Sequence, residues 1–172
     1  SLGFAAAVLG FIPAYLAGIA IARGKEGQSM RKPRFIAEQS RNATGVLGRI
    51  VAFVMARETF AANQRAITAL DVQRGDHVLD IGCGHGRALT ALAALAPDGR
   101  VAGVDPSELM AELAVERNRD AVKTWRVDVA IAAVEHLPFA AASFDKALCV
   151  HVLYFWADLN AAFAEIGRVM KP

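Results

Sequence analysis

The sequence lacks the residue patterns of metal-binding, disulfide-stabilised and nucleic-acid-binding proteins. Its 172 residues include only two cysteines, Cys83 and Cys149, with the spacing of neither a zinc site nor a disulfide framework. The net charge is only +2, and no basic stripe is interleaved with aromatic residues, which argues against nucleic acid as a partner. The four histidines show no ligand spacing, so we predict no metal site. They are His77, His85, His136 and His151.

The chain is also too short for two large domains. Its 172 residues, of which 55% are hydrophobic, are enough to build one core. Both cysteines fall in segments that we predict to be buried. We expect these thiols to be reduced, as they would be in the cytoplasm.

Charged residues are absent from residues 2–22, which as a helix would be about 30 Å long and could cross the hydrocarbon core of a bilayer. Five basic residues follow between positions 23 and 34, so the positive-inside rule would place the rest of the chain in the cytoplasm. We therefore interpret residues 1–23 as a candidate membrane anchor on the cytoplasmic face. Two alternatives stay open: a cleaved signal peptide, whose charges would normally precede the apolar run, and a non-native translated region.

The remainder of the chain divides by composition into three parts. Residues 24–42 are polar and basic and are predicted to be a linker. Apolar residues recur at helical spacing within residues 43–75, which predicts helices that cover the pocket or pack on the sheet, the second starting near Glu58. Residues 76–172 alternate between strand-like and helix-like patterns. This alternation predicts an α/β fold with a doubly wound, mainly parallel, Rossmann-like sheet.

The boundaries of the elements follow from turn residues and apolar spacing. The predicted strands cover residues 77–81, 100–105, 125–131 and 147–152. The predicted helices cover residues 86–96, a segment that begins after a Ser107 cap, and residues 158–170. The capped helix is expected to bury Met110, Leu113 and Ala114 and to expose Glu112, Glu116 and Arg117. The last helix is expected to bury Leu159, Phe163 and Ile166.

The stretch from Val78 to Gly86 is the strongest local pattern in the chain. An apolar, β-branched run ends in alternating glycines at Gly82, Gly84 and Gly86, and a segment with helical spacing follows at once. Glycine permits the sharp reversal between strand and helix and lets a bound ligand approach the backbone. We therefore predict a strand, a ligand-binding turn and a helix.

A second strand, ending in Asp105, indicates what the ligand contains. The separation between Gly82 and Asp105 is close to the roughly 20 residues that lie between a glycine turn and a ribose-binding carboxylate. A dinucleotide fingerprint would require glycine at position 87, where Arg87 stands. Asp80, two residues before the first glycine, suits a cationic ligand better than a pyrophosphate. The pattern favours an adenosine-containing ligand that is not a dinucleotide.

Together with four further segments, the glycine turn resembles the class I S-adenosylmethionine-dependent methyltransferases. The resemblance is to methyltransferase type 11, similar to the ubiquinone and menaquinone biosynthesis methyltransferases, whose first motif is an acid followed by three alternating glycines. The further segments are Val104-Asp105-Pro106-Ser107, Leu137-Pro138-Phe139, Ser143-Phe144-Asp145 and Ile166-Gly167-Arg168-Val169-Met170-Lys171-Pro172. Because that family normally continues with glycines and further strands, we expect the chain to be a fragment, truncated at its C-terminus.

The resemblance implies a set of residues that bind S-adenosylmethionine. Asp80 and the backbone of residues 82–84 would surround the methionine part, and Asp105 would hold the ribose hydroxyls. Pro106 and Ser107 would line the adenine, with backbone groups near Val134. The full set is Asp80, Gly82, Cys83, Gly84, Gly86, Asp105, Pro106, Ser107, Val134 and Cys149.

The chain departs from the resembled family at the adenine. Relatives usually place a Gly-Asp pair where this chain has Ala132 and Ala133, so the acid that would accept from the adenine amino group is missing. Asp128 would replace it only if the loop were remodelled, and strand alternation favours Asp128 as a polar residue of the third strand. We therefore expect a cofactor site that lacks the family's acid at the adenine.

The methyl acceptor is expected to lie past the fourth strand. A hydroxyl acceptor would need a base, for which His151 and Tyr154 are the candidates. Phe155 and Trp156 would shape an apolar substrate site or else belong to the core. Asp145 is expected to fix the turn into the fourth strand.

The sequence therefore predicts S-adenosylmethionine-dependent methyl transfer to a small, lipophilic acceptor such as a quinone precursor or a lipid. A second hypothesis is a non-catalytic module that keeps the cofactor pocket as a sensor or structural domain. A third, a nicotinamide-dependent oxidoreductase, is disfavoured by Arg87.

Overall fold

Four parallel strands form the centre of the computed structural model, which describes residues 60–172. The strands are β1 (His77–Ile81), β2 (Arg100–Asp105), β3 (Val127–Ile131) and β4 (Lys146–Cys149). Their spatial order is β3-β2-β1-β4, so that β1 is hydrogen-bonded to both β2 and β4. The apolar, β-branched runs lie on these buried strands, as expected for a parallel sheet covered on both faces.

Helices cover both faces of this sheet. They are α1 (Phe60–Leu70), α2 (Arg87–Leu95), α3 (Glu108–Arg117), α4 (Arg119–Lys123) and α5 (Leu159–Val169), with short 3₁₀ turns at Val134–His136 and Leu153–Phe155. Val78 packs with residues of α1 and α2, whereas Leu79 packs with residues of α5, because successive strand residues point to opposite faces. The predicted doubly wound, parallel α/β fold is confirmed.

The carboxyl ends of the strands gather the predicted site residues at one edge of the sheet. Asp80 is paired with Gly103 across β1 and β2, and Asp105 is paired with Ile131 across β2 and β3. The turns after β1, β2, β3 and β4 therefore open on the same side. This edge is where ligands bind in open α/β sheets.

Two predicted strand boundaries are wrong. The third strand begins at Val127 rather than at residue 125, because Trp125 has a positive φ of 59° and is 79% exposed. The fourth strand ends at Cys149 rather than at residue 152, because His151, with a φ of 60°, turns the chain away from the sheet. The last helix begins at Leu159, next to the predicted start at residue 158, but Leu159 is 49% exposed rather than buried.

Other details of the helices follow the predictions. Ser107 caps α3 by accepting a hydrogen bond from the backbone N–H of Met110, and Met110 is buried. Asp158 caps α5 in the same way, through the N–H groups of Asn160 and Ala161. Ile166 is buried and Phe163 is half-buried, whereas the predicted burial of Leu159 was wrong.

Part of the predicted organisation concerns residues outside the described range. The candidate anchor at residues 1–23, the linker at 24–42 and the first helical segment after residue 43 belong to this part. Within residues 60–172, none of the helices combines the length and the apolar character that crossing a membrane requires.

Candidate functional site

The glycine turn after β1 is built from three left-handed glycines. Gly82, Gly84 and Gly86 have φ values of 72°, 53° and 77°, a region that residues with a Cβ rarely adopt. The carbonyl of Val104 in β2 accepts the N–H groups of Gly82 and Cys83 at 2.8 and 3.0 Å. The turn is therefore joined to the end of the neighbouring strand.

The three glycines face different surroundings. A Cβ built on Gly82 would collide with the side chain of Val152, and one on Gly86 would lie 2.7 Å from the Cα of Ala114. A Cβ on Gly84 would meet nothing within 4 Å. Gly84 therefore borders open space, and this space is the cradle in which a ligand could approach the backbone.

Asp105 forms one wall of this cradle. Its two carboxylate oxygens accept the backbone N–H groups of Gly84 and Ser107, at 3.0 and 2.9 Å. Burial raises the pKa of Asp105, and the hydrogen bonds from Ser107 and Gly84 oppose this shift. The carboxylate is thus fixed in orientation, with lone pairs left for a ligand.

Asp80 is the second carboxylate of the site. It is only 4% exposed, and its Oδ2 atom has no hydrogen-bond partner among residues 60–172. Burial first, and the neighbouring charge of Asp105 second, raise the pKa of Asp80 to about 7. A buried acceptor without a donor is costly, so this atom is the best indication that the site accommodates a positively charged or hydrogen-bond-donating group.

Asn118, at the end of α3, is hydrogen-bonded to the glycine turn. Its Nδ2 donates to the carbonyls of Gly86 and Ala114, both at 2.9 Å, and its Oδ1 accepts from the hydroxyl of Thr90 at 2.8 Å. Asn118 is 5% exposed. Sequence analysis missed this residue because its partner Gly86 lies 32 positions away and no local pattern marks the contact.

His85 lies within the glycine turn. Its backbone carbonyl accepts a hydrogen bond from Nε of Arg117 at 3.0 Å. Burial, followed by the charges of Arg117 and Arg87, lowers the pKa of His85 to about 4. The imidazole is therefore neutral at pH 7. The described residues contain no group of three or more His, Cys, Asp or Glu side chains that could hold a metal ion.

The loop after β3 adjoins Asp105. The backbone N–H of Ala132 donates to the carbonyl of Asp105 at 3.2 Å, and Val134 is buried two residues later. Asp128 is paired with Ala102, three positions before Asp105. Asp128 is thus a polar residue of β3, as strand alternation predicts, and it lies away from the carboxyl edge.

The segment after β4 forms the opposite side of the site. His151 is half-buried in its left-handed conformation, and Val152 covers Gly82. Tyr154 is 62% exposed and packs edge-on against Phe155, with ring centroids 4.4 Å apart. An apolar side chain of this segment, that of Val152, therefore lies against the glycine turn.

Several predicted cofactor residues face the site and others do not. Gly84, Asp105 and Ser107 are joined by hydrogen bonds, Asp80 lies near enough to Asp105 for its pKa to be affected, and Pro106 is exposed. Three others are placed differently. Cys83 packs into the core, Gly86 is enclosed by α3, and Cys149 is half-buried at the end of β4. Burial, followed by the charge of Asp80, raises the pKa of the Cys149 thiol to about 11.

Comparison with known proteins agrees with this geometry. Residues 79–172 match the family described as a methyltransferase domain. An uncharacterised methyltransferase, YdaC of Bacillus subtilis, is 32% identical over 72% of this chain and 66% of its own. A demethylmenaquinone methyltransferase of Symbiobacterium thermophilum is 38% identical over 57% of this chain and 39% of its own.

A solved structure from Methanococcus maripaludis, assigned as an S-adenosyl-L-methionine-dependent methyltransferase, superposes with a TM-score of 0.61. It is 25% identical, and the match covers 84% of this chain and 64% of that one. The chain thus spans less than two thirds of the length of these three relatives. A match over residues 79–172, more than half of the 172 residues, nonetheless establishes that the chain belongs to the methyltransferase domain family.

Proposed function

We propose that the chain binds S-adenosylmethionine at the carboxyl edge of β1 and β2 and directs transfer of its methyl group to a small, lipophilic acceptor. The observation that carries the proposal is the unpartnered Oδ2 of Asp80, a side chain that is 4% exposed. It lies close enough to Asp105, which is hydrogen-bonded to Gly84, for the charge of Asp105 to help raise its pKa. A ligand with a positive charge would satisfy this atom.

The residues present fit the cofactor at both of its ends. Asp105, oriented by Gly84 and Ser107, can accept from the two vicinal ribose hydroxyls. Asp80 and the backbone of residues 82–84 can surround the methionine part. Pro106, Ser107 and the backbone near Val134 would line the adenine.

When bound, S-adenosylmethionine supplies an activated methyl group on a sulfonium. Transfer to an acceptor is then chiefly a matter of positioning and of excluding water. The chain contributes a rigid turn, two carboxylates that orient the ligand, and the apolar segment after β4. Val152, which covers Gly82, would exclude water near the reacting groups.

We propose that the part of the site that binds the methyl acceptor is apolar. Tyr154 and Phe155 pack together in the segment that follows β4 and Val152, and Tyr154 is 62% exposed. The Symbiobacterium relative is named for a demethylated quinone, an apolar acceptor. For an acceptor that must lose a proton, half-buried His151 is the proposed base, since its backbone strain is of the kind retained at functional sites.

Substitution of Asp105 tests the cofactor site. We expect Asp105→Ala to weaken binding of S-adenosylhomocysteine by about a hundredfold, since both ribose hydrogen bonds are charge-assisted. Isothermal titration calorimetry on the full chain measures the effect, with circular dichroism to establish that the variant is folded. Asp128→Ala is the matched control, because it removes an exposed acid three register positions away. Equal affinity for NAD and S-adenosylhomocysteine would contradict the proposal.

Substitution of His151 tests the base. Asparagine tolerates a positive φ, so His151→Asn keeps the backbone geometry while removing the imidazole. With a panel of phenolic and hydroquinone acceptors, we expect kcat to fall by about a hundredfold, at unchanged affinity for S-adenosylhomocysteine. Product formation is measured as S-adenosylhomocysteine released. An unchanged kcat would remove His151 from the mechanism.

A further inference from the structure

The residues beside Asp105 indicate where the base of a bound adenosine would lie. This inference rests on the proposed function. If Asp105 holds the ribose, the base is one glycosidic bond away. Ala132 is hydrogen-bonded to the carbonyl of Asp105, and Ala133 follows it at the surface. The loop formed by residues 132–134 is therefore adjacent to the residue that would hold the ribose, and we take the edge of the base that carries the 6-amino group to face this loop.

Neither of the two carboxylates nearest to this loop in the chain, Glu135 and Asp128, is placed to serve that amino group. Glu135 is the nearest in sequence, but its Oε1 accepts the backbone N–H groups of Ala157 and Asp158, at 3.0 and 3.3 Å. These bonds hold the start of α5 in place. Asp128 is three residues before Ile131 in β3, about 10 Å from the carboxyl edge at the rise of a strand.

We propose that the cofactor site of this chain does not select its base through the 6-amino group, and that Ala133 is the position that determines this. The methyl group of Ala133 cannot accept a hydrogen bond, and Ala133 is exposed, so a neighbouring amino group stays hydrated. Removing a hydrated amino group from the ligand costs little. Placing a carboxylate at position 133 would create a selective contact.

The test compares S-adenosylhomocysteine with its 6-desamino analogue, in which purine replaces adenine and the N1 acceptor is kept. Calorimetry on the full unsubstituted chain is expected to give dissociation constants within about threefold of each other. With Ala133→Asp, S-adenosylhomocysteine should bind about tenfold more tightly, while the analogue should gain nothing. Ala141→Asp is the matched control, because it adds the same charge at another exposed alanine.

Each outcome decides between the alternatives. If the unsubstituted chain binds the 6-desamino analogue at least tenfold more weakly than S-adenosylhomocysteine, the inference is overturned and the proposed function is left intact. An equal response of both ligands to Ala133→Asp would show that position 133 does not face the amino group, and would also overturn it. Failure of both ligands to bind the unsubstituted chain would overturn the inference and the proposed function together.

Discussion

Replacing Asp80 by asparagine is expected to stabilise the ligand-free chain at pH 8 by about 2–4 kcal/mol, and to weaken binding of S-adenosylhomocysteine by about a hundredfold. The side chain is 4% exposed, and its pKa is about 7 instead of 3.8. At about 1.4 kcal/mol per pH unit, this difference corresponds to about 4 kcal/mol. Asparagine has almost the same shape and removes the buried charge.

The pH dependence of stability has a defined sign. Below pH 3.8 Asp80 is protonated in both the folded and the unfolded chain, so the stability that it contributes is fully present there. Between about pH 4 and pH 7 the unfolded chain releases the proton and the folded chain keeps it, so stability falls as pH rises. Above pH 7 Asp80 is ionised in both states, so its effect on stability no longer changes with pH. The difference in unfolding free energy between the unsubstituted chain and Asp80→Asn should therefore vanish near pH 4.

The affinity for the cofactor should depend on pH in the opposite direction to the stability of the fold. A ligand carrying an ammonium group favours ionised Asp80, so affinity for S-adenosylhomocysteine should fall about tenfold per pH unit below pH 7. Urea titrations and calorimetry at pH 5, 6, 7 and 8 measure the two effects. Asp128→Asn serves as the control, because that acid is exposed. A destabilised Asp80→Asn at pH 8 would mean that the carboxylate is not held at an energetic cost.

Alanine substitution at Gly84 should chiefly weaken ligand binding, whereas alanine substitution at Gly86 should chiefly destabilise the fold, although both glycines have a positive φ. Gly84→Ala should cost about 1–2 kcal/mol of stability, because its Cβ meets no atom, yet it should reduce S-adenosylhomocysteine binding about a hundredfold by filling the cradle. Gly86→Ala adds contacts of 2.7 Å with Ala114 and Asn118 to the same backbone strain. Its total cost of about 3–5 kcal/mol would unfold a marginally stable domain.

The two variants are compared by thermal unfolding and by calorimetry. Gly167→Ala is the control, because Gly167 lies inside α5, with open space around it, and alanine there should stabilise the helix by about 0.5–1 kcal/mol. Normal ligand binding by Gly84→Ala would show that the ligand does not approach this backbone. A stable Gly86→Ala would show that α3 can move away from the turn.

Sequence analysis predicted the features that depend on neighbours in the chain. The strand from His77 to Ile81, the glycine turn and the Ser107 cap each follow from residues within a few positions of one another. The boundary at Trp125 was missed because the left-handed turn that precedes β3 depends on how α4 ends, with the N–H of Trp125 bonded to the carbonyl of Val122. Nothing in the strand-like composition of the segment marks that turn.

The electrostatics of the site could not be predicted in the same way. Asp80 and Asp105 were both identified from sequence, but the pKa of Asp80 depends on burial and on the register that pairs Asp80 with Gly103, two residues before Asp105. The hydrogen bonds of Asn118 and Glu135 join segments 32 and 22 residues apart. Such contacts exist only after the sheet has formed.

Asn118 donates a hydrogen bond to Gly86 and accepts one from Thr90, and these two bonds also determine when the turn loses its conformational entropy. Because two of the hydrogen bonds of Asn118 join the end of α3 to the turn and to α2, this entropy is lost as the chain folds and not when a ligand arrives. A preformed turn leaves little ordering to accompany binding, so the change in heat capacity on binding should reflect the buried ligand surface alone. In hydrogen exchange, the amides of the turn should open together with those of α3 as one cooperative unit.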